Sequence, residues 1–316
     1  MQAIGFKERI KNIFGPTVGA NYNIQTFQEL VPKFLDYFRI EVGFSEETID
    51  KYGESLGWMQ KDLPNIAGPS VLTLEDVTIL KKQMLARGVG ASRINSIVFA
   101  LRKFLGYCNE VLKITTINLK EIKPMKIPKR QVIFLTPEEI RQFVDSINYK
   151  SGKRGMRMRT LVEVLLATGM RISEALALNR EDIDFKNKEV KIIGKGNKER
   201  YVFLTDRANF WLQEYLTKRT DNNVALFITM GGAKRLTRFD LSKSFKHYAK
   251  LSGLKKKITP HILRHTMATT IFRNGGDIRY IQELLGHSSI ETTAQYYMGT
   301  DKRAVKEAHA KFLKFD

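Results

Sequence analysis

The stretch ITPHILRHTMATTIFRNGGDIRYIQELLGHSSIETTAQYY, Ile258 to Tyr297, gathers His261, Arg264, His287 and two adjacent tyrosines in a run with helical apolar spacing. A His-x-x-Arg pair alone carries little information. Its weight comes from company: a later histidine, a tyrosine hydroxyl able to act as a nucleophile, and, upstream, an isolated arginine and a lysine that can share one phosphate with it. The remainder of the chain has to supply those two cations and a reason for phosphate to be present.

Charge supplies the reason. Among 316 residues, 53 Lys and Arg face 33 Asp and Glu, a formal net charge of +20. Such an excess points to a polyanion, because neutralising phosphates releases condensed counterions and drives binding whatever the base sequence. The cations are spread along the chain rather than gathered in a tail, which favours DNA held by folded surfaces. The apolar share of 43% is that of a globular protein, and the length calls for two cores. No apolar run approaches a membrane span, and MQAIGFKERIKNIFG lacks the apolar block of a secretory signal, so a cytoplasmic, nucleoid-associated location is expected. Cys108 is the only cysteine and lies in the periodic run IVFALRKFLGYCNEVL, where it reads as a small buried hydrophobe.

Working back to the N-terminus, residues 1–22 read as a peripheral arm. Residues 23–117 read as a small helical domain of four or five short helices. Phe27, Leu30, Val31, Phe34, Leu35 and Phe38 form one stripe, with Pro32 near the first turn; Ser45 and Thr73 read as N-caps. On ASRINSIVFALRKFLGYCNEVL the apolar face opposes one carrying Ser92, Arg93, Ser96, Arg102 and Lys103, which suits a DNA groove as well as it suits solvent. Residues 118–134, with two prolines and five lysines or arginines, read as a basic linker.

A second domain over 135–316 opens with Thr136, Pro137 and Glu139 as a capping box. A helix ending at Gly169 and a short helix in RISEALALNREDID follow. EVKIIGKGNKERYVFL reads as a hairpin, its two alternating runs joined around Gly194 to Asn197. Helices RANFWLQEYLTKR and TRFDLSKSFKHYAKLSG lead back to the opening stretch. The fold class is therefore mainly α, a small helical domain followed by a mixed, mostly helical domain with one small antiparallel sheet.

LLATGMRISEALALNREDID, IIGKGNKERYVFL, HILRHTMAT and LLGHSSIETTAQYY resemble, in order and spacing, the successive boxes of the tyrosine recombinase, or phage integrase, family and most closely its Xer-type branch. The resemblance covers residues 135 to 300 and, more loosely, a SAM-like core-binding domain before them. It implies Arg171 as the first catalytic arginine, Lys195 as the hairpin lysine, His261 and Arg264 as the His-x-x-Arg pair, His287 as the later histidine and Tyr296 as the nucleophile. Tyr296 is chosen over Tyr297 by its spacing from His287. Lys198 is the second candidate for the lysine. His265 reads as a packing residue, Lys198 and Arg200 as backbone-contacting or solvated, and Glu174 as holding the first arginine's helix.

The chemistry agrees with these roles. A phosphorane-like transition state carries extra negative charge, which two guanidiniums stabilise through bidentate hydrogen bonds, as Arg171 and Arg264 would. A phenol with a pKa near 10 must lose its proton as it attacks, and His261 is the natural base. Lys195, its pKa lowered by neighbouring arginines, would protonate the leaving 5′-oxygen, and His287 would donate to the phosphate. Arginines take the electrostatic part that magnesium plays in nucleases, so no metal or other cofactor is expected.

The expected function is site-specific recombination through a 3′-phosphotyrosyl bond and a Holliday junction, the two domains clamping duplex DNA in a tetramer. The tail after Tyr297 would dock on a neighbouring protomer. Arg93, Arg102, Arg238 and Lys243 are candidate DNA contacts. Two other readings stay open at this point: a type IB topoisomerase using the same residues, and a DNA-binding regulator without catalysis, favoured in isolation by the helix-turn-helix look of YIQELLGHSSIETTAQYY.

Overall fold

The computed structural model describes residues 25–128, 133–193, 199–232 and 234–286. The expectations for the N-terminal arm, Lys195, Lys198, His287, Tyr296, Tyr297 and the tail fall outside the described residues. The chain divides into two compact units, residues 1–129 and 130–316.

The first unit contains α1 (Phe27–Ile40), α2 (Glu46–Asp62), α3 (Leu74–Ala86) and α4 (Ala91–Glu110). Capping boxes start α1 and α3: the Thr26 and Thr73 hydroxyls accept from the amides of Glu29 and Asp76, whose carboxylates accept from the threonine amides in return. Ser45 occupies the N-cap of α2 without capping it; its hydroxyl pairs with that of Thr48 instead, at 2.9 Å. Pro32 lies in the second turn of α1 rather than the first, so α1 forgoes a backbone bond there. Burial of the six-residue stripe carries the helix through it.

That stripe closes on α4. Phe34 meets Phe104 and Tyr52 edge-on, with ring centroids 5.5 and 5.7 Å apart. Cys108 is fully buried, and burial pushes its thiol up to about 12, so it is an inert core residue. Asn95 ties the chain beyond α4 to the helix, donating to the Met125 carbonyl at 2.9 Å and accepting from its amide at 2.7 Å.

The second unit is arranged around α6 (Lys153–Thr168), whose Leu161, Val162, Val164 and Leu165 are fully buried. Before it, α5 (Pro137–Asp145) begins with the expected Thr136, Pro137 and Glu139 box. After it come α7 (Ile172–Ala177), a three-stranded antiparallel sheet, α8 (Asp206–Thr217), α9 (Arg238–Leu251), α10 (Pro260–Arg273) and α11 (Ile278–Leu285). Helix α6 packs against both α8 and α10, which brings segments from distant parts of the sequence to its C-terminal end.

Two expectations gain detail here. The RISEALALNREDID helix stops at Ala177, and the residues beyond it form a 3-10 turn, Arg180–Asp182, and a strand, β1 (Ile183–Asp184). The cause is tertiary: Arg235 donates to the carbonyls of Leu176, Ala177 and Leu178 at 2.7–2.9 Å, satisfying the helix end from another part of the fold. The expected hairpin forms, and one further strand joins it to make a three-stranded sheet. β2 (Glu189–Ile193) pairs with β1 through Ile183 and Val190, and with β3 (Glu199–Phe203) through Val190 and Val202. No described helix is long and apolar enough to cross a membrane.

Candidate active site

Helix α6 ends on Gly169, the residue that turns the chain into the first arginine. Its φ of +59° is the left-handed conformation that glycine adopts without cost. The position is also crowded: a Cβ there would lie 1.9 Å from the Met267 methyl group. Two residues on, Arg171 is the N-cap of α7, and Glu174 reaches back to it. Glu174 Oε2 accepts from the Arg171 amide at 2.7 Å and Oε1 from the Arg171 guanidinium at 3.0 Å. This is the holding role expected of Glu174.

The same carboxylate has a second cationic partner. Arg200 on β3 donates to Glu174 through Nη1 at 3.1 Å and Nη2 at 2.8 Å. Burial by itself would raise the Glu174 pKa, but the Arg200 hydrogen bonds, the Arg171 amide and the surrounding positive charge hold it below the ordinary carboxylate value. Arg200, expected to be backbone-contacting or solvated, is instead an internal link: its side chain is 14% exposed and joins the sheet to α7. Strand alternation carries the missed signal. Tyr201 and Phe203 face out while Arg200 shares its side with buried Val202, and a charge on an inward face needs a buried partner.

Arg264 arrives from α10 and is buried. Its Nη1 donates to the Gly169 carbonyl at 2.6 Å and its Nη2 to the Leu285 carbonyl at 2.5 Å. Arg171 Nη2 lies 3.5 Å from the next carbonyl, Gly286. Two guanidiniums from positions 93 residues apart (264 − 171) therefore end at consecutive peptide groups, immediately before His287. Gly286 is the left-handed C-cap of α11, with φ +61°. Arg200 also reaches this corner, its Nε donating to the Leu284 carbonyl at 3.4 Å.

His261 occupies the first turn of α10, after the N-cap Thr259 and Pro260. Burial, then Arg264, then Arg171 lower its pKa below the ordinary value, so the ring is neutral near pH 7 and able to accept a proton. His265 packs edge-on against it, with centroids 4.1 Å apart and planes at 73°. Arg171, Arg264 and His261 are therefore brought into one electrostatic neighbourhood. The expected Lys195, His287 and Tyr296 belong to segments that adjoin it in sequence and lie outside the described residues.

The four candidate DNA contacts divide between the units. Arg93 and Arg102 are half-buried on α4, Arg93 3.4 Å from Glu54. Arg238 and Lys243 are exposed on α9, with the Lys243 ammonium 4.6 Å from the centre of the Phe239 ring, itself 70% exposed.

Comparison with known proteins places this geometry in a family. The phage integrase family profile matches residues 133–303. The tyrosine recombinase XerC of Pediococcus pentosaceus is 33% identical over 300 residues, covering 90% of this chain and 98% of that protein. The tyrosine recombinase XerD of Staphylococcus haemolyticus is 31% identical over 296 residues, with coverage of 90% and 98%. Among solved structures, the integrase of transposon Tn1549 in complex with transposon right end DNA aligns with a TM-score of 0.76 at 18% identity, over 91% of this chain and 99% of that one, a likeness of fold. These relatives do not favour supercoil relaxation or DNA binding without cleavage.

Proposed function

The chain belongs to the phage integrase family of tyrosine recombinases and is a site-specific DNA recombinase, and from that premise we propose that it cuts and rejoins duplex DNA through a covalent bond to Tyr296. The observation that supports this most directly is the convergence of Arg171 and Arg264 on the adjacent carbonyls of Gly286 and Leu285. Two guanidiniums held at one corner can grip two non-bridging oxygens of one phosphodiester, and their charge is worth most as the phosphorane develops.

In this reading His261, neutral because of burial and the two arginines beside it, takes the Tyr296 proton as the phenolate attacks phosphorus. The bond to the 5′-oxygen breaks, and Lys195, which lies between β2 and β3 in the sequence, protonates that oxygen. A 3′-phosphotyrosyl linkage and a free 5′-hydroxyl remain, and His287 donates to the phosphate throughout. The linkage conserves the energy of the phosphodiester, so a second 5′-hydroxyl can reverse the step on a new strand without ATP. Strand exchange through a Holliday junction in a tetramer, in the cytoplasm, is the setting this chemistry suits. Arg93, Arg102, Arg238 and Lys243 take DNA contacts there.

A nicked suicide substrate carrying the recombination site tests the assignment. The wild-type chain and Tyr297→Phe should form a covalent DNA adduct, and Tyr296→Phe should form none. An adduct with Tyr296→Phe that disappears with Tyr297→Phe would move the nucleophile one residue on.

A further inference from the structure

Among the described residues, four hydrogen bonds converge on the Glu174 carboxylate, two from Arg171 and two from Arg200. Oε1 accepts from Arg171 Nη1 at 3.0 Å and from Arg200 Nη1 at 3.1 Å. Oε2 accepts from the Arg171 amide at 2.7 Å and from Arg200 Nη2 at 2.8 Å. A carboxylate offers about four lone-pair positions, so this one is full. The Glu174 side chain is only 7% exposed, so bulk water does not compete for it.

The two arginines differ in how firmly they are held. Arg200 is fixed by its place on β3, by its two bonds to Glu174 and by α11, where its Nε lies 3.4 Å from the Leu284 carbonyl. A Cβ on Gly286 would lie 3.1 Å from the Arg200 guanidinium carbon, so that group rests directly against the α11 cap. Arg171 is tied at its amide, but its side chain is 42% exposed and only one of its terminal nitrogens reaches Glu174. The other, Nη2, is 3.5 Å from the Gly286 carbonyl, at the outer limit of a hydrogen bond, and is the donor best placed to turn to a ligand.

A guanidinium beside a free carboxylate favours two parallel hydrogen bonds over one. Arg171 does not make the second, because its own amide and Arg200 Nη2 already occupy Oε2. Emptying the Arg200 positions would let Arg171 close that fork on Glu174, with Nη2 drawn away from phosphate.

We propose that Arg200 is a positioning residue for cleavage: by filling its half of Glu174 it prevents the carboxylate from capturing Arg171, and so keeps one Arg171 nitrogen available to the scissile phosphate. This role goes beyond tying the sheet to α7, and it rests on the reading of Arg171 as a phosphate ligand. Arg200 acts through Arg171 and needs no contact with DNA.

Single-turnover adduct formation on the nicked suicide substrate is measured at saturating DNA, with duplex affinity and melting temperature in parallel. Arg200→Ala is expected to slow adduct formation by about 10- to 100-fold, the equivalent of one hydrogen bond to a charged group, with duplex affinity little changed. Glu174→Gln alone should not exceed the wild-type rate. In the Glu174→Gln background, Arg200→Ala should have almost no further effect on the rate, because an amide offers Arg171 no fork of acceptors. That double variant also lacks the unpaired buried charge that lowers the stability of Arg200→Ala. Arg200→Gln, which keeps much of the packing, takes the place of Arg200→Ala where that chain does not fold, and the same slowing is expected of it.

A wild-type rate in the Arg200 variants, a loss confined to duplex affinity, or equal slowing with and without Glu174 would overturn the proposal and leave Arg200 a structural bridge. A Glu174→Gln chain faster than wild type would overturn it too, because net charge at the corner would then set the rate. Absence of any adduct with the wild-type chain would overturn the phosphate reading of Arg171 itself, and this proposal with it.

Discussion

Arg200 and Glu174 form a bidentate ion pair, at 3.1 and 2.8 Å, that joins β3 to the N-terminal turn of α7, which carries Arg171. Glu174 is buried and accepts from Arg171 as well, so one carboxylate orients two cations. The arrangement explains why a charged residue sits on the inward side of β3.

Removing Arg200 leaves that buried carboxylate short of a partner. Arg200→Ala should destabilise the second unit by about 3–5 kcal/mol, read as a lowered urea midpoint. Glu174 has a depressed pKa in the fold, so its contribution is present above the unfolded carboxylate pKa and fades as pH falls through the folded one. Wild-type stability should therefore drop in acid, and Arg200→Ala should show a shallower drop. Equal acid slopes for the two proteins would show that the pair does not supply this stability.

His261 gives a prediction about rate. Its pKa is lowered, so the neutral ring persists to more acid pH than an ordinary histidine, and the acid limb of single-turnover cleavage should lie below about pH 6.5. For the fold the sign is parallel: the folded state resists protonation, so His261 costs stability only as pH falls below the unfolded value. NMR titration of the ring in Arg171→Gln should move its pKa upward in part, since burial and Arg264 remain. An unmoved pKa would mean that Arg171 does not act on this histidine.

Much of the architecture is readable locally because its determinants are local. The boxes at Thr26, Thr73 and Thr136 and the Gly169 stop lie within a few residues of the ends they create. The end of α7 is not readable, because Arg235 satisfies it from 58 residues away. The Arg200–Glu174 pair and the crowding of Gly169 by Met267 are likewise tertiary facts. The proposed reacting groups come from motif order, whereas the contacts around Arg171 and Arg264 depend on how α6, α10 and the sheet pack.

Arg264 is a severe test of guanidinium geometry. Its two terminal nitrogens reach carbonyls on different segments, Gly169 and Leu285, and a lysine ammonium cannot span both from that buried position. Arg264→Lys should cost about 2 kcal/mol through one lost charge-assisted bond and slow covalent-adduct formation by about 10²–10³-fold. Restoration of the rate by added guanidinium in Arg264→Ala, without recovery of melting temperature, would separate the two roles; a wild-type rate in Arg264→Lys would remove the argument for this residue.

On α9, Arg238 and Lys243 are exposed cations, and each phosphate contact contributes to salt dependence. Replacing either with alanine should weaken duplex binding uniformly across sequences and reduce the salt slope by about 1. A variant that changes base preference with an unchanged slope would instead mark a contact to a base edge.

Gly169 combines a conformational demand with a steric one, and the two can be separated. Alanine at φ +59° costs about 1 kcal/mol from the backbone alone. Its Cβ would also meet the Met267 methyl at 1.9 Å and Leu285 Cδ2 at 3.3 Å, so Met267 would have to move within the small core shared by α10 and α11. Since Arg264 bonds the Gly169 and Leu285 carbonyls, displacement there is transmitted to its guanidinium. Gly169→Ala should therefore lower both melting temperature and adduct formation. In a double-mutant cycle, Met267→Ala should restore part of the rate in the Gly169→Ala background, because the space it vacates admits the new methyl, while slightly lowering stability in the wild-type background. Strict additivity of the two substitutions would show that backbone strain, not the collision with Met267, is what glycine avoids at the end of α6.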